Sequence, residues 1–163
     1  MEKPEPTVIL TEPKSKPKVK RGKRKSKAKT CYKTMNILGN NSAGLLNKLE
    51  SFDRCIEKFQ PGVFFIQESK CTRKNKVKHP EYVMFEHVRK NSGGGGLLTA
   101  VHKNLKPVSV SDETDVEILV VQGTVQNKAV RFINGYGPQD DSKTNDNEKN
   151  EFFNRLDEEI KSS

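Results

Sequence analysis

The stretch VFFIQESK, residues 63–70, passes from four apolar residues directly into a glutamine, a carboxylate, a serine and a lysine. An uninterrupted apolar run of this length predicts a strand that is covered on both faces, and the Pro61-Gly62 break marks its start. Glu68 is then either the solvated end of a buried strand or a carboxylate held out for chemistry. The surrounding sequence has to decide between these two interpretations.

A helix is predicted directly before this strand. The apolar residues Leu45, Leu49, Phe52, Ile56 and Phe59 recur at the spacing of one helical face, and the Pro-Gly pair ends the pattern. Before the helix, residues 35–39 predict a first strand, and the polar residues 40–44 predict a turn. The order is therefore strand, helix, strand.

The remainder of the chain predicts further strands and one more helix. A basic loop covers residues 69–79, two strands cover 82–88 and 96–101, and a hairpin joins 117–125 to 129–133 through residues 126–128. A last helix begins near Asp146, with Asp146 or Asn147 as its cap. Its predicted apolar face is formed by Phe152, Phe153, Leu156 and Ile160. This order predicts an α/β or α+β fold with helices packed on a sheet.

The net charge of +9 is concentrated in the first 30 residues, which carry 11 lysines and arginines against three glutamates, a net charge of +8. This segment contains four prolines and no aromatic residue, so we predict that residues 1–32 form a disordered tail and that residues 33–163 form the domain. The basic run is typical of a nuclear-import signal or a phosphate-binding arm, and a merely solubilising tail is the alternative. We expect a nuclear protein, or otherwise a cytoplasmic one.

Other features exclude several classes of protein. The sequence has no apolar run of about 18 residues, so no membrane span is expected. Cys31, Cys55 and Cys71 are odd in number and too widely spaced for a zinc pair, which favours reduced thiols. The glycines at 93–96 match neither the phosphate-loop nor the dinucleotide-binding motif.

Polar residues follow the predicted strands at three places: Asn41, the pair Gln67-Glu68, and residues 134–139, which include Tyr136. Residues at like ends of neighbouring strands come together, so these side chains are expected to line one rim. A carboxylate beside amides and a phenol suits a hard cation and a phosphate. Each residue also has a structural interpretation: Asn41 as a helix cap and Tyr136 as a core aromatic.

In this order, four motifs resemble the first half of the endonuclease/exonuclease/phosphatase superfamily. They are Asn41-x-x-Gly44-Leu45, PGVFFIQESK at 61–70, GGGGLLTAV at 93–101 and INGYGPQ at 133–139. The likeness is greatest to the apurinic-type endonuclease domains of non-LTR retrotransposons and covers about residues 35–160. The resemblance implies the N-terminal half of a four-layer α/β/β/α sandwich.

The resemblance also implies roles for individual residues. Glu68 occupies the place of the Mg²⁺ ligand, with Mn²⁺ as a substitute, Asn41 that of a residue positioning metal and phosphate, and Tyr136 that of a donor to the scissile phosphate. Pro138 matches the family proline. DNA is the implied partner. The electrostatic contacts to nucleic acid are predicted at Lys18, Lys20, Arg21, Lys23, Arg24, Lys25, Arg73 and Lys74.

The sequence departs from this family in its second half. It contains neither the Gly-Asp-x-Asn motif, which supplies the general base, nor the terminal Ser-Asp-His motif. We therefore expect a truncated domain, retroelement-derived and inactive alone. We also expect the second sheet to be missing, so that an apolar sheet face would favour self-association or a covering partner. Two alternatives remain open: a nucleic-acid-binding module without catalysis, and a relative of phosphoinositide or other phosphoester phosphatases.

Overall fold

A computed structural model describes residues 35–89, 95–111, 114–138 and 145–162. Along this part of the chain, short 3-10 helices at Leu45–Lys48 and Lys103–Leu105 accompany the strands and α-helices. The strands are β1 (Ile37–Asn41), β2 (Val63–Gln67), β3 (Tyr82–His87), β4 (Leu97–His102), β5 (Val108–Ser109), β6 (Ile118–Val125) and β7 (Lys128–Gly135), and the helices are α1 (Leu49–Phe59) and α2 (Asp146–Lys161).

The first sheet has the strand order β1-β2-β4-β3. β1 and β2 are parallel and are joined through α1, whereas β4 pairs antiparallel with both β2 and β3. The two central strands, β2 and β4, are covered on both faces, and Val63, Leu97 and Leu98 are fully buried. This burial explains why both strands read as continuous apolar runs rather than alternating ones.

The second sheet is antiparallel, in the order β5-β6-β7. Gln126 and Asn127 form a two-residue turn between β6 and β7, and both have positive φ, +49° and +62°. Positive φ at both central residues is the requirement of the type I′ hairpin, whose twist matches that of the strands. Lys128, predicted in the loop, is instead the first residue of β7.

The two sheets pack face to face, with one helix on each outer face. Leu119 and Val121 of β6 contact the first sheet, while Ile118 and Val120 of the same strand face Phe152 of α2. On the other side, α1 packs on β2 and β4 through Phe52 and Ile56. The layers are α1, first sheet, second sheet and α2, which confirms the predicted α/β class and four-layer arrangement.

The expectation that the second sheet is missing is wrong. β6 and β7 supply it, and alternate residues of the two apolar runs, Val63 and Phe65 of β2 and Leu119 and Val121 of β6, pack together between the sheets. Burial within the chain removes the argument for an uncovered sheet face at these strands. Self-association itself stays a prediction.

Two element boundaries also differ from the predictions. β1 extends through Asn40 and Asn41, which were expected in a turn, because it pairs with β2 as far as Gln67. The cap of α2 is Asn145, not Asp146 or Asn147, since the Asn145 side chain accepts a hydrogen bond from the backbone N–H of Asn147.

The buried face of α2 is narrower than predicted. Phe152 is 8% exposed, but Phe153 and Ile160 are 62% and 56% exposed. Phe153 follows Phe152 by one residue and is therefore turned about 100° around the helix, away from the sheet. The predicted tail at 1–32 lies outside the described residues.

Candidate functional site

The parallel pairing of β1 and β2 brings their carboxyl ends to one rim of the first sheet. Asn41 lies opposite Gln67 in register, and the pairing continues beyond the strands. The Ser42 N–H donates to the Gln67 carbonyl at 2.9 Å, and the Gly44 N–H donates to the Glu68 carbonyl at 2.8 Å. The backbone of Glu68 has φ +49°, so the chain turns sharply where the strand ends.

The Glu68 carboxylate receives two hydrogen bonds on one oxygen. Asn41 Nδ2 donates to Oε1 at 2.7 Å, and the Tyr136 hydroxyl donates to the same atom at 2.6 Å. The Asn41 amide is oriented by the Ala43 N–H, which donates to Asn41 Oδ1 at 3.2 Å. The three predicted site residues therefore meet at one carboxylate oxygen.

These contacts favour the ionised form of Glu68. The hydrogen bond from Asn41 is the largest influence lowering the pKa of the carboxyl, followed by the bond from Tyr136. Partial burial acts in the opposite direction, and the nearby Lys70 charge lowers the pKa slightly further. Glu68 is thus an anion at neutral pH.

Two side chains of the predicted polar clusters, to which the sequence assigned no role of their own, hold Tyr136 near Glu68. Asn134, 2% exposed, donates from β7 across the sandwich to the Leu98 carbonyl and the Thr99 hydroxyl, both at 3.2 Å. Gln67 Nε2 donates to the Gly135 carbonyl at 2.7 Å. The sequence signal was an amide inside an apolar strand, where an unpaired polar group is costly.

Glu117 is a residue near the site that the sequence analysis missed. Its side chain is 4% exposed and accepts from the Gly96 N–H at 2.6 Å and from Arg89. Its backbone carbonyl accepts the Tyr136 N–H at 3.0 Å, and the Gly96 carbonyl in turn accepts the Ser69 N–H at 3.0 Å. Glu117 therefore links the chain around Tyr136 to the segment that follows Glu68.

Comparisons with solved structures identify this arrangement of layers. The structure matches the Xenopus laevis APE2 catalytic domain with a TM-score of 0.59 and 16% identity, over 75% of this chain and 52% of that one. It matches the 3′ phosphatase NExo from Neisseria, bound to product DNA hairpin, with a TM-score of 0.54 and 19% identity, over 79% and 52%. An AP endonuclease from Archaeoglobus fulgidus gives 0.52 and 21%, over 76% and 49%.

The fold is therefore shared with these AP endonuclease and 3′ phosphatase structures, in agreement with the resemblance found in the sequence. No protein-family model matches the sequence. No curated protein matches it either. The chain spans about half the length of the solved structures it matches.

Only two of the predicted electrostatic residues lie in the part of the chain that the structure describes. Arg73 and Lys74 are exposed on the loop that leads from β2 to β3. The six predicted tail residues, Lys18, Lys20, Arg21, Lys23, Arg24 and Lys25, lie outside the described residues.

The residues at the rim fit a weakly held divalent cation. Across the described ranges, no three His, Cys, Asp or Glu side chains converge as a metal cluster. Mg²⁺ is usually bound in proteins through one or two carboxylates, with waters and substrate phosphates completing its shell. Glu68 alone satisfies that requirement, and no described donor contacts its Oε2.

The described helices include none that is long and apolar enough to cross a membrane.

Proposed function

We propose that this chain is part of an endonuclease-like domain that binds a divalent cation and a nucleic-acid phosphate at the Glu68 rim. One observation carries the proposal: Asn41 and Tyr136 both donate to Oε1 of Glu68, at 2.7 and 2.6 Å. These bonds favour an ionised carboxylate in a fixed orientation. Its second oxygen is left to a cation.

Each residue has a defined task in this proposal. Glu68 would hold Mg²⁺, or Mn²⁺ in its place, and Tyr136 and Asn41 would supply neutral donors next to the phosphate. When bound, the cation supplies positive charge that stabilises a negatively charged phosphate. Asn134 and Glu117 are positioning residues, because Asn134 anchors β7 two residues before Tyr136 and the Glu117 carbonyl accepts the Tyr136 N–H.

Nucleic acid is the phosphate source that we favour. The Neisseria neighbour was solved with a product DNA hairpin. The first 30 residues carry a net charge of +8, which supplies sequence-independent attraction to a phosphate backbone. A retroelement origin and a nuclear location are parts of the same proposal, supported by the four motifs and by the basic run.

We further propose that the chain alone does not hydrolyse DNA. Its sequence contains neither Gly-Asp-x-Asn nor Ser-Asp-His, the motifs that the resemblance associates with the general base and with phosphate polarisation. Loss of a general base alone typically slows such a reaction by about 10²–10⁴-fold.

DNA binding and cleavage can be tested on the purified chain. Anisotropy of a short labelled duplex should show tighter binding when Mg²⁺ is added, and Glu68→Gln should remove that increment. Tyr136→Phe should weaken it, whereas Tyr82→Phe, which removes a buried phenol at the opposite end of the sheet, should not. An Mg²⁺ effect unchanged by Glu68→Gln would refute the site. Nicking of supercoiled plasmid that Glu68→Gln abolishes would refute the predicted inactivity.

A nucleic-acid-binding module without a metal site is the second candidate. The concentration of charge in the first 30 residues favours it. Deleting those residues separates the two candidate functions. A binding module without a metal site predicts that all DNA binding disappears. An endonuclease-like site at Glu68 predicts that the Mg²⁺-dependent part of the binding persists. Phosphoinositide head groups that outcompete DNA for the Glu68 rim would instead favour a phosphoester phosphatase relative.

A further inference from the structure

β3 is an edge strand of the first sheet, and its outer side is open among the described residues. The Lys103 N–H donates to the Glu81 carbonyl, so this pair belongs to the hydrogen-bonded set of the β3-β4 ladder. By the alternation of an antiparallel ladder, Val83 and Phe85 bond to β4. Met84 and Glu86 therefore point their N–H and C=O groups away from the sheet.

A groove of about 1000 Å³ runs along this open edge. One wall is the loop after β2, with Arg73, Lys76 and Lys78, and the other wall contains Ser109 and Ser111. A six-residue strand such as β3 is roughly 20 Å long, so the edge is long enough to pair with a short extended peptide. Exposed edges of this kind act as templates for an added strand.

The two faces of the groove differ in chemistry. Met84 packs on the side of the α1 core, where Val77 and the lysines of the loop lie. Phe85 packs on the opposite side, towards Leu119 of the second sheet. An added strand would therefore alternate its side chains between a basic wall and a wall of hydroxyl and apolar groups.

The charge of the groove indicates which kind of ligand would bind in it. Arg73, Lys76, Lys78 and Lys103 line the groove, and Glu86 is the single carboxylate among its described lining residues. We propose that the outer edge of β3 binds an extended acidic peptide of a partner protein by strand addition, with alternate carboxylates facing Lys76 and Lys78. The peptide's main chain pairs with Met84 and Glu86, and its remaining side chains face Ser109 and Leu119.

This surface is separate from the Glu68 rim, because β4 lies between β2 and β3. Nucleic acid is the competing class of ligand, since phosphates are also attracted to lysines. A phosphate backbone, however, does not reproduce the alternating N–H and C=O groups that Met84 and Glu86 present. The pairing of main chains therefore distinguishes the two ligands.

The test uses the full chain labelled with ¹⁵N and a synthetic peptide that alternates glutamate with valine. Hydrogen exchange at the Met84 and Glu86 amides should slow at least tenfold when the peptide is bound, while the amides of Val83 and Phe85 should change little. Two further peptides carry N-methyl groups, one on every glutamate and the other on every valine. One of them should lose binding and the other should retain it, because only alternate amides face β3.

Charge variants complete the test. Reversing both Lys76 and Lys78 to glutamate should weaken peptide binding about tenfold. Reversing Lys128 and Lys161, which lie outside the groove, changes the net charge equally and should leave the affinity within about twofold. Unchanged exchange at Met84 and Glu86, equal binding of both methylated peptides, or equal slowing by an oligonucleotide would each overturn the proposal.

Discussion

Phe152 and Phe153 are adjacent on α2 but differ in burial, and replacing each by alanine tests the outer layer of the fold. Phe152 is 8% exposed, and its ring lies against Gly135 and Gly137, where an added Cβ would be 3.3 and 3.4 Å from ring atoms. Phe153 is 62% exposed. The two substitutions delete the same atoms from environments that differ mainly in burial.

The expected magnitude follows from the buried area. An aromatic side chain that buries about 200 Å², at roughly 25 cal/mol per Å², contributes about 5 kcal/mol to the free energy of unfolding before two corrections are applied. Residual compactness of the unfolded chain and the retained methyl group reduce this to about 3–4 kcal/mol, within the usual range for Phe→Ala in a core. Phe153→Ala should cost less than about 1 kcal/mol, which includes the loss of its edge-to-face contact with the Phe152 ring.

Urea unfolding followed by far-UV circular dichroism measures both free energies of unfolding. At about 2–4 °C per kcal/mol for a chain of this size, Phe152→Ala should also lower Tm by about 10 °C. Gly135 and Gly137 flank Tyr136, so this variant should in addition shift the Tyr136 ring signals in an NMR spectrum. A difference of less than about 1 kcal/mol between the two variants would refute the packing of α2 on the second sheet.

Three further predictions concern buried polar groups. Burial raises the pKa of Glu86 above the usual glutamate value of 4.5, so its ionised form destabilises the folded state above that pH. Glu86→Gln should raise Tm at pH 7, and the gain should vanish as the pH falls below 4.5; a gain independent of pH would contradict this. Asn134→Asp cannot donate to the Leu98 carbonyl and should lower the free energy of unfolding in urea by at least about 2 kcal/mol. The exposed control Asn150→Asp should lower it by less than about 0.5 kcal/mol. Equal costs would exclude a role of Asn134 in bridging the two sheets. Glu117→Leu removes the acceptor of the Gly96 N–H, so exchange at that amide should accelerate at least tenfold, and protection at the wild-type level would rule out the link.

Local sequence patterns were sufficient to predict much of the first sheet and its helix. The continuous apolarity of residues 63–66 predicted β2 to within one residue. The helical spacing from Leu45 to Phe59 predicted one helix, which the structure divides into the 3-10 helix Leu45–Lys48 and α1. The order of the polar clusters placed Asn41, Glu68 and Tyr136 at one rim, where the structure joins them through a single oxygen. Each of these inferences depends on residues close in sequence or on the parallel pairing of β1 and β2.

The second sheet was missed because β6 is apolar on both faces. Residues 118–121 carry no alternation that reveals which side chains face the first sheet and which face α2. The presence of a second sheet and the layer that each side chain of β6 faces both depend on contacts between residues far apart in the chain, which periodicity does not encode.

Glu117 was missed for a related reason. It is the first residue of the predicted strand 117–125 and resembles a solvated strand-end acid, yet it is buried because Arg89 and the Gly96 N–H, 28 and 21 residues away, converge on it. Asn134 likewise owes its role to carbonyl groups on the opposite sheet. The hydrogen-bond partners of such buried polar groups lie far away in the sequence and are brought close only by the tertiary structure, so a single sequence does not identify them.

The central claim is that Glu68 binds a divalent cation, and paramagnetic broadening by Mn²⁺ tests it most directly. Substoichiometric Mn²⁺ added to the ¹⁵N-labelled chain should broaden the amide signals around Asn41, Glu68 and Ser69. Glu68→Gln should abolish this effect, while Glu57→Gln, an exposed acid on α1, should not. Because the pKa of Glu68 is lowered, the broadening should persist at pH 5. Broadening that survives Glu68→Gln, or that centres on another surface, would contradict the account.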